Sequence, residues 1–269
     1  MTDHNESPEP RLRSDVPALA WLRRAMRGTI SRNQRFRTYF WVLRTPVLSE
    51  LYIAGRGRLR HRRLSPATRL VVEAFPSSAN TFAVDALLLA NPELTRDEIS
   101  SHSHGPRVVQ RAVRQRVPCI VVARDPRDAV ASMVQRFPGI HLDSAFDYHR
   151  TFYGRLLPLR DQIVVAPFDI VVSDLDSVIA RCNETYGTSF STLSSIGVSH
   201  GNVLQRIEER QRNRFGGKLN ETRIARPSAV RMKAADFLRD LTPRQTRAMN
   251  RAIETYEAFV RDVPAARGH

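Results

Sequence analysis

A short run of small and hydroxyl-bearing residues, Pro76-Ser77-Ser78-Ala79-Asn80-Thr81, directly follows an apolar run, Leu70-Val71-Val72-Glu73-Ala74-Phe75. It precedes a segment of helical spacing, Phe82 to Ala90. Small side chains let a backbone approach an anion closely, and Ser77, Ser78, Asn80 and Thr81 add hydrogen-bonding groups. At the start of a helix these would join unpaired N–H donors and a partial positive charge, which is the chemistry of phosphate binding. The run lacks the glycines and the terminal Gly-Lys-Ser/Thr of a Walker loop, which disfavours an ordinary ATP or GTP hydrolase. A polar turn that only caps a helix has the same composition, so the run alone leaves both readings open.

A second stretch, Val121-Val122-Ala123-Arg124-Asp125-Pro126-Arg127-Asp128-Ala129-Val130-Ala131-Ser132, delivers Arg124 to the end of an apolar strand. Pro126 then suits the first turn of a helix that carries Ser132. A guanidinium is a planar fork matched to phosphate oxygens, and a serine hydroxyl in the following helix can donate to the same anion. The structural alternative is a capped helix start with Arg124 paired to Asp128.

Both stretches require strand, loop and helix in that order, and the surrounding sequence supplies them repeatedly. The spacing predicts a strand over 70–75, a helix over 82–90, a helix over 106–116, a strand over 117–123, a helix from Asp125 to Phe137, a strand over 163–166 and a helix over 174–186 stopped by Gly187. Strands alternating with helices predict an α/β fold: a three-layer sandwich with a central parallel sheet flanked by helices. From about Gly201 the chain reads as a helical C-terminal part, ending in a long helix from Pro243 to Val260.

The 269 residues suit one main domain, placed at 66–265, with an Arg-rich, partly helical arm over 1–65 that includes a helical patch at 18–26. An apolar fraction of 42% is enough for a packed core. The formal charge of +15 predicts attraction for anions without choosing among nucleotides, nucleic acid, anionic lipid and acidic substrates. Because the only lysines are Lys218 and Lys233, arginine carries nearly all of that charge, and codon bias explains such a skew as readily as function. Scattered arginines without an aromatic-basic reading motif argue against a nucleic-acid partner. Cys119 and Cys182 have neither the number nor the spacing of a disulfide or zinc framework and read as buried thiols. A polar, partly acidic start and the lack of an apolar run of ~18 residues point to a cytoplasmic protein. In the arm, Phe40, Trp41, Leu43 and Leu48 would face lipid if the segment lay on a membrane surface. The favoured alternative is a helical arm that packs on the core and shows its arginines to water. A peripheral membrane contact through the arm stays open.

Taken together, Phe75-Pro76-Ser77-Ser78-Ala79-Asn80-Thr81-Phe82 and the Arg124-to-Ser132 segment resemble, in order, spacing and context, the two cofactor motifs of the sulfotransferases that use 3'-phosphoadenosine 5'-phosphosulfate (PAPS). The resemblance covers roughly Leu70 to Phe259 and implies a P-loop-like α/β sulfotransferase fold. It further implies that Pro76, Ser77, Ser78, Ala79, Asn80 and Thr81 wrap the 5'-phosphosulfate, and that Arg124 and Ser132 bind the 3'-phosphate. Family members also carry a catalytic histidine, followed at two residues by proline, at the end of an intervening strand, a place that Ser103-His104-Gly105-Pro106 fits. His104 is therefore the expected general base. His102, on the same side of an extended chain, is the runner-up. An imidazole with an ordinary pKa of roughly 6.5 is largely neutral near pH 7 and can accept the acceptor's proton. Many members carry a lysine or arginine where this chain has Ser77, a cation that stabilises charge on the bridging oxygen of the leaving group. For the family's C-terminal basic element, Arg226 and Lys233 are the expected equivalents, with Lys218 and Arg214 as alternatives.

The implied reaction is in-line transfer of a sulfuryl group from PAPS to a hydroxyl or amine of a glycan, lipid or small-molecule acceptor, without a metal. The alternatives are a catalytically inactive nucleotide- or glycan-binding protein of the same fold, and a kinase, which would need a Walker lysine and magnesium carboxylates that the sequence does not offer. The segment 137–152, with His141, Asp143, Asp147, Tyr148 and His149, is a candidate acceptor wall.

Overall fold

The computed structural model describes residues 31–45, 48–49, 62–214, 216–219, 221 and 233–263. The 18–26 patch, most of the expected arm and Arg226 lie outside the described residues. In chain order the regular elements are α1 (Arg32–Arg44), β1 (Leu70–Ala74), α2 (Asn80–Ala90), β2 (Ile99–Ser101), α3 (Pro106–Arg114), β3 (Cys119–Ala123), α4 (Pro126–Arg136), α5 (Leu142–Leu156), β4 (Val164–Pro167), α6 (Phe168–Ser173), α7 (Leu175–Tyr186), α8 (His200–Arg214), α9 (Ala234–Phe237) and α10 (Pro243–Val260).

The four strands form one sheet in the order β2-β1-β3-β4, and every neighbouring pair is parallel. Five consecutive buried residues in β1 and five in β3 fit a sheet covered on both faces. Side-chain alternation divides the core. Val71, Phe75, Val121 and Ala123 pack on one face against α3, α4, α5 and α10. Leu70, Val72, Ala74, Ile120 and Val122 pack on the other against α2, α6, α7 and α8. The expected three-layer α/β sandwich, with a mostly helical C-terminal part, is what the chain forms.

Element ends follow local chemistry. Asp125 accepts from the Arg127 N–H to cap α4, and Pro126 occupies its first turn. Gly187 closes α7 in the left-handed region at φ 64°, as its position in the sequence predicts. Ser31 and Thr242 each make a full capping box at the start of α1 and α10.

Phe40 and Leu43, which the lipid-facing alternative would expose, are 8% and 1% exposed, with Phe40 stacked at 4.3 Å on Tyr148, because α1 lays this side on the domain core. Trp41, by contrast, is 48% exposed. Helix α5 begins inside the 137–152 segment and buries a stripe of Ala145, Phe146, His149, Phe152, Tyr153 and Leu156, while Asp143 and Asp147 stay half-exposed. Both cysteines are free and buried. No helix among the described residues is long and apolar enough to cross a membrane.

Candidate active site

The chain leaves β1 toward β2 on one side and returns to place β3 on the other, so the direction of winding reverses between β1 and β3. In open α/β sheets the crevice beyond the carboxyl ends of two such strands is the place where ligands bind, because the connections diverge there. Both sequence motifs open into this crevice: the loop 75–79 follows β1, and Arg124 follows β3. A hydrogen bond joins them. Arg124 Nη1 donates to the Ser77 carbonyl at 2.7 Å, while the guanidinium lies 4.1 Å above the Phe168 ring. Asp125 turns back to Arg127 at 2.5 Å. The Arg124 carbonyl accepts from Nε2 of His149, a fully buried residue on α5 that fixes the end of β3.

The loop is built for something that the polypeptide does not provide. Ala79 is the N-cap of α2, yet it has no side-chain cap to give the first-turn N–H groups. The Ser77 hydroxyl and both polar atoms of the Asn80 amide are buried without a hydrogen-bond partner. Such groups cost roughly 1–3 kcal/mol each when left unsatisfied. Ser77 at φ 65° and Ala79 at φ 58° are left-handed, a conformation that costs an L-residue ~1–2 kcal/mol. Uncapped amides, orphaned side-chain donors and strained backbone in one short loop fit a tetrahedral anion such as phosphate or sulfate. Ser78 lies deeper, beside the Tyr153 phenol.

His102 and His104 follow β2, which pairs with β1, and their rings lie 5.8 Å apart. They too are left-handed, at φ 60° and 54°, so four of the six described non-glycine residues with positive φ belong to this site. The strain is held by Glu73. This carboxylate is the penultimate residue of β1, has no exposure and accepts the Ser103 N–H at 2.8 Å and the His104 N–H at 3.0 Å. Burial pushes its pKa up to about 7 against the pull of these amides. The next residue, Ala74, accepts from His104 Nδ1 through its carbonyl at 2.9 Å, and the Tyr148 hydroxyl donates to the His104 carbonyl at 2.5 Å. Nδ1 therefore carries the ring hydrogen, and Nε2 keeps a lone pair for an incoming proton. Burial pushes the His104 pKa down to about 4, with Arg62 and Arg136 adding to the effect against the Ala74 carbonyl, so the ring is neutral near pH 7.

No family model matches the chain, and no curated protein matches it. Among solved structures, the crystal structure of mouse sulfotransferase SULT7A1 complexed with PAP is similar at 11% identity and a TM-score of 0.43, over 78% of this chain and 92% of that one.

Of the residues singled out in the sequence, the structure brings together the 76–81 loop, Arg124, His102 and His104. Ser132 lies in α4, 8% exposed. Lys233 is exposed at the start of α9, and Lys218 is exposed after α8. Glu73 was missed, although a lone carboxylate inside an apolar strand was the visible signal. The Tyr148 and His149 roles were missed as well, because both residues act on main-chain carbonyls remote in sequence.

Proposed function

We propose that the chain is a PAPS-dependent sulfotransferase that passes a sulfuryl group to a hydroxyl or amine of a glycan, lipid or small-molecule acceptor. The observation that carries this reading is the placement of a neutral histidine, with Nδ1–H donated to Ala74 O, beside the 75–79 loop that directly follows Ala74 at the end of β1. When bound, PAPS supplies the sulfuryl group. The loop amides with Ser77, Asn80 and Thr81 would hold its 5' end, and Arg124 with Ser132 its 3'-phosphate. Arg124 would then exchange the Ser77 carbonyl for charge-assisted bonds to phosphate. His104 Nε2 receives the proton of the acceptor hydroxyl, and Glu73 and Tyr148 keep its main chain in place as it does so.

The test is calorimetric titration with 3'-phosphoadenosine 5'-phosphate, with ATP and GTP as controls, followed by an acceptor screen with His104→Ala as the blank. Binding that needs the 3'-phosphate, and turnover that needs His104, support the proposal. Absence of binding by a folded wild-type chain sinks it. The second reading, an inactive nucleotide- or glycan-binding protein of the same fold, is favoured by Ser77 standing where a cation is common. Tight binding with no turnover on any acceptor would select it.

A further inference from the structure

The site holds two histidines, and their hydrogen-bond partners differ in kind. Arg96, in the single turn before β2, donates through Nη1 to the Ile99 carbonyl at 2.9 Å and through Nη2 to the Ser101 hydroxyl at 2.6 Å. The same Nη2 lies 3.4 Å from His102 Nδ1. A guanidinium has donors only. Ser101 Oγ therefore accepts from Arg96 and has its own hydrogen left for His102 Nδ1, 2.8 Å away. With donors directed at Nδ1, the neutral ring carries its hydrogen on Nε2, and that nitrogen lies 3.1 Å from Thr81 Oγ1. Thr81 accepts, so its hydroxyl hydrogen is directed elsewhere. Thr81 is the second residue of α2, next to the orphaned Asn80 amide and in the uncapped first turn.

We propose that His102 is a positioning residue, the third link of a donor chain Arg96–Ser101–His102–Thr81 that turns the Thr81 hydroxyl hydrogen toward the anion in the loop and replaces part of the charge that Ser77 does not supply. The direction of donation is the same at every link and starts from a fixed cation, so each bond polarises the next. The left-handed backbone at His102, φ 60°, is the cost of bringing its ring to Thr81. The same assignment separates the two histidines. His102 Nε2 is occupied by a hydrogen already donated, whereas His104 Nε2 has a lone pair, so only His104 can act as the base.

This inference rests on the sulfotransferase reading, and the experiment separates the two. The full chain is titrated with 3'-phosphoadenosine 5'-phosphate, and folding of each variant is checked by its thermal melt. His102→Phe and Arg96→Met are expected to weaken binding roughly 10- to 100-fold, the range for losing one hydrogen bond to a charged group. His102→Gln, whose amide can donate to Thr81 and accept from Arg96, recovers most of the affinity. Thr81→Val matches His102→Phe, and combining the two costs little more than either alone. Ring nitrogen spectra of the wild type, assigned by the loss of signals in each histidine variant, show the hydrogen on Nε2 of His102 and on Nδ1 of His104. Wild-type affinity in His102→Phe, equal losses in His102→Phe and His102→Gln, or a hydrogen on Nδ1 of His102 would overturn the donor chain while leaving the sulfotransferase reading intact. A folded wild-type chain that binds nothing removes both.

Discussion

The Arg124 guanidinium donates to the Ser77 carbonyl at 2.7 Å, so the end of β3 and the loop after β1 are already joined before any anion enters. An arriving phosphate must offer Arg124 more than a neutral carbonyl does. Charge-assisted bonds do so, at about 1.5–3 kcal/mol each. Arg124→Ala is therefore expected to weaken 3'-phosphoadenosine 5'-phosphate binding by roughly tenfold or more, with the thermal midpoint changed much less. Arg124→Lys recovers only part of the loss, since an ammonium lacks the fork and the flat stacking on Phe168. Calorimetry on the three proteins checks both statements, and equal affinities in all three would exclude Arg124 from the anion site.

Glu73 divides its two oxygens between the Ser103 and His104 N–H groups. Glu73→Gln replaces one acceptor by an NH2 that faces an N–H donor. The expected cost is on the order of 1–3 kcal/mol of stability. Turnover should fall, because His104 is no longer held, while affinity for the bisphosphate is kept. Urea unfolding together with a comparison of turnover and calorimetric affinity reads this. Unchanged stability would show that the clamp is not formed in solution.

Two histidines, His149 fully buried and His104 half-buried, set the acid side of the stability profile. Burial pushes His104 and His149 down to about 4, against an ordinary value of 6.5. Between these pH values the unfolded chain binds the protons that the folded chain refuses, so each histidine adds stability as pH rises from about 4 to about 6.5. Glu73 acts in the opposite sense. Its pKa is raised from 4.5 to about 7, so its contribution is complete below 4.5 and is lost as pH rises to about 7. Among these three groups the two histidines outweigh Glu73, so their joint contribution climbs between pH 4.5 and 6.5. His149→Leu should flatten that climb by at most ~1.4 kcal/mol per pH unit. Urea midpoints at pH 5 and pH 6.5 measure it, and an unaltered slope would mean that His149 titrates normally.

Ala79 caps α2 from a left-handed conformation that glycine adopts at no steric cost. Ala79→Gly removes ~1–2 kcal/mol of strain and returns part of it as unfolded-state entropy. A rise of a few degrees in the thermal midpoint is the expected outcome. A fall would show that Ala79 leaves the left-handed region in solution.

The α/β layering was legible because apolar runs, turn residues and helical spacing alternate from Leu70 onward, and α10 keeps the bounds Pro243–Val260 read from its Thr-Pro start and spacing. The helix over 142–156 was not seen as such. Its stripe has helical period, but His149 sits at its centre, and a histidine reads as surface until the Arg124 carbonyl it serves is found 25 residues earlier. Glu73 was hidden for the same reason: its partners are two amides 30 and 31 residues away. Sequence spacing reveals which residues share a face of one element. It carries no record of which remote carbonyl or amide a buried polar group will meet.

Glu73 and Ala74 grip His104 from the strand that runs straight into the anion loop, so the two halves of the site are cut from one piece of backbone. On the proposed function, altering β1 to redirect the histidine side of the site would move the anion loop at the same time. Phe36 and Phe40 on α1 pack on Tyr148, with ring centroids at 5.5 and 4.3 Å. That aromatic wall can be recut without disturbing the strand, and it is where a designer should begin.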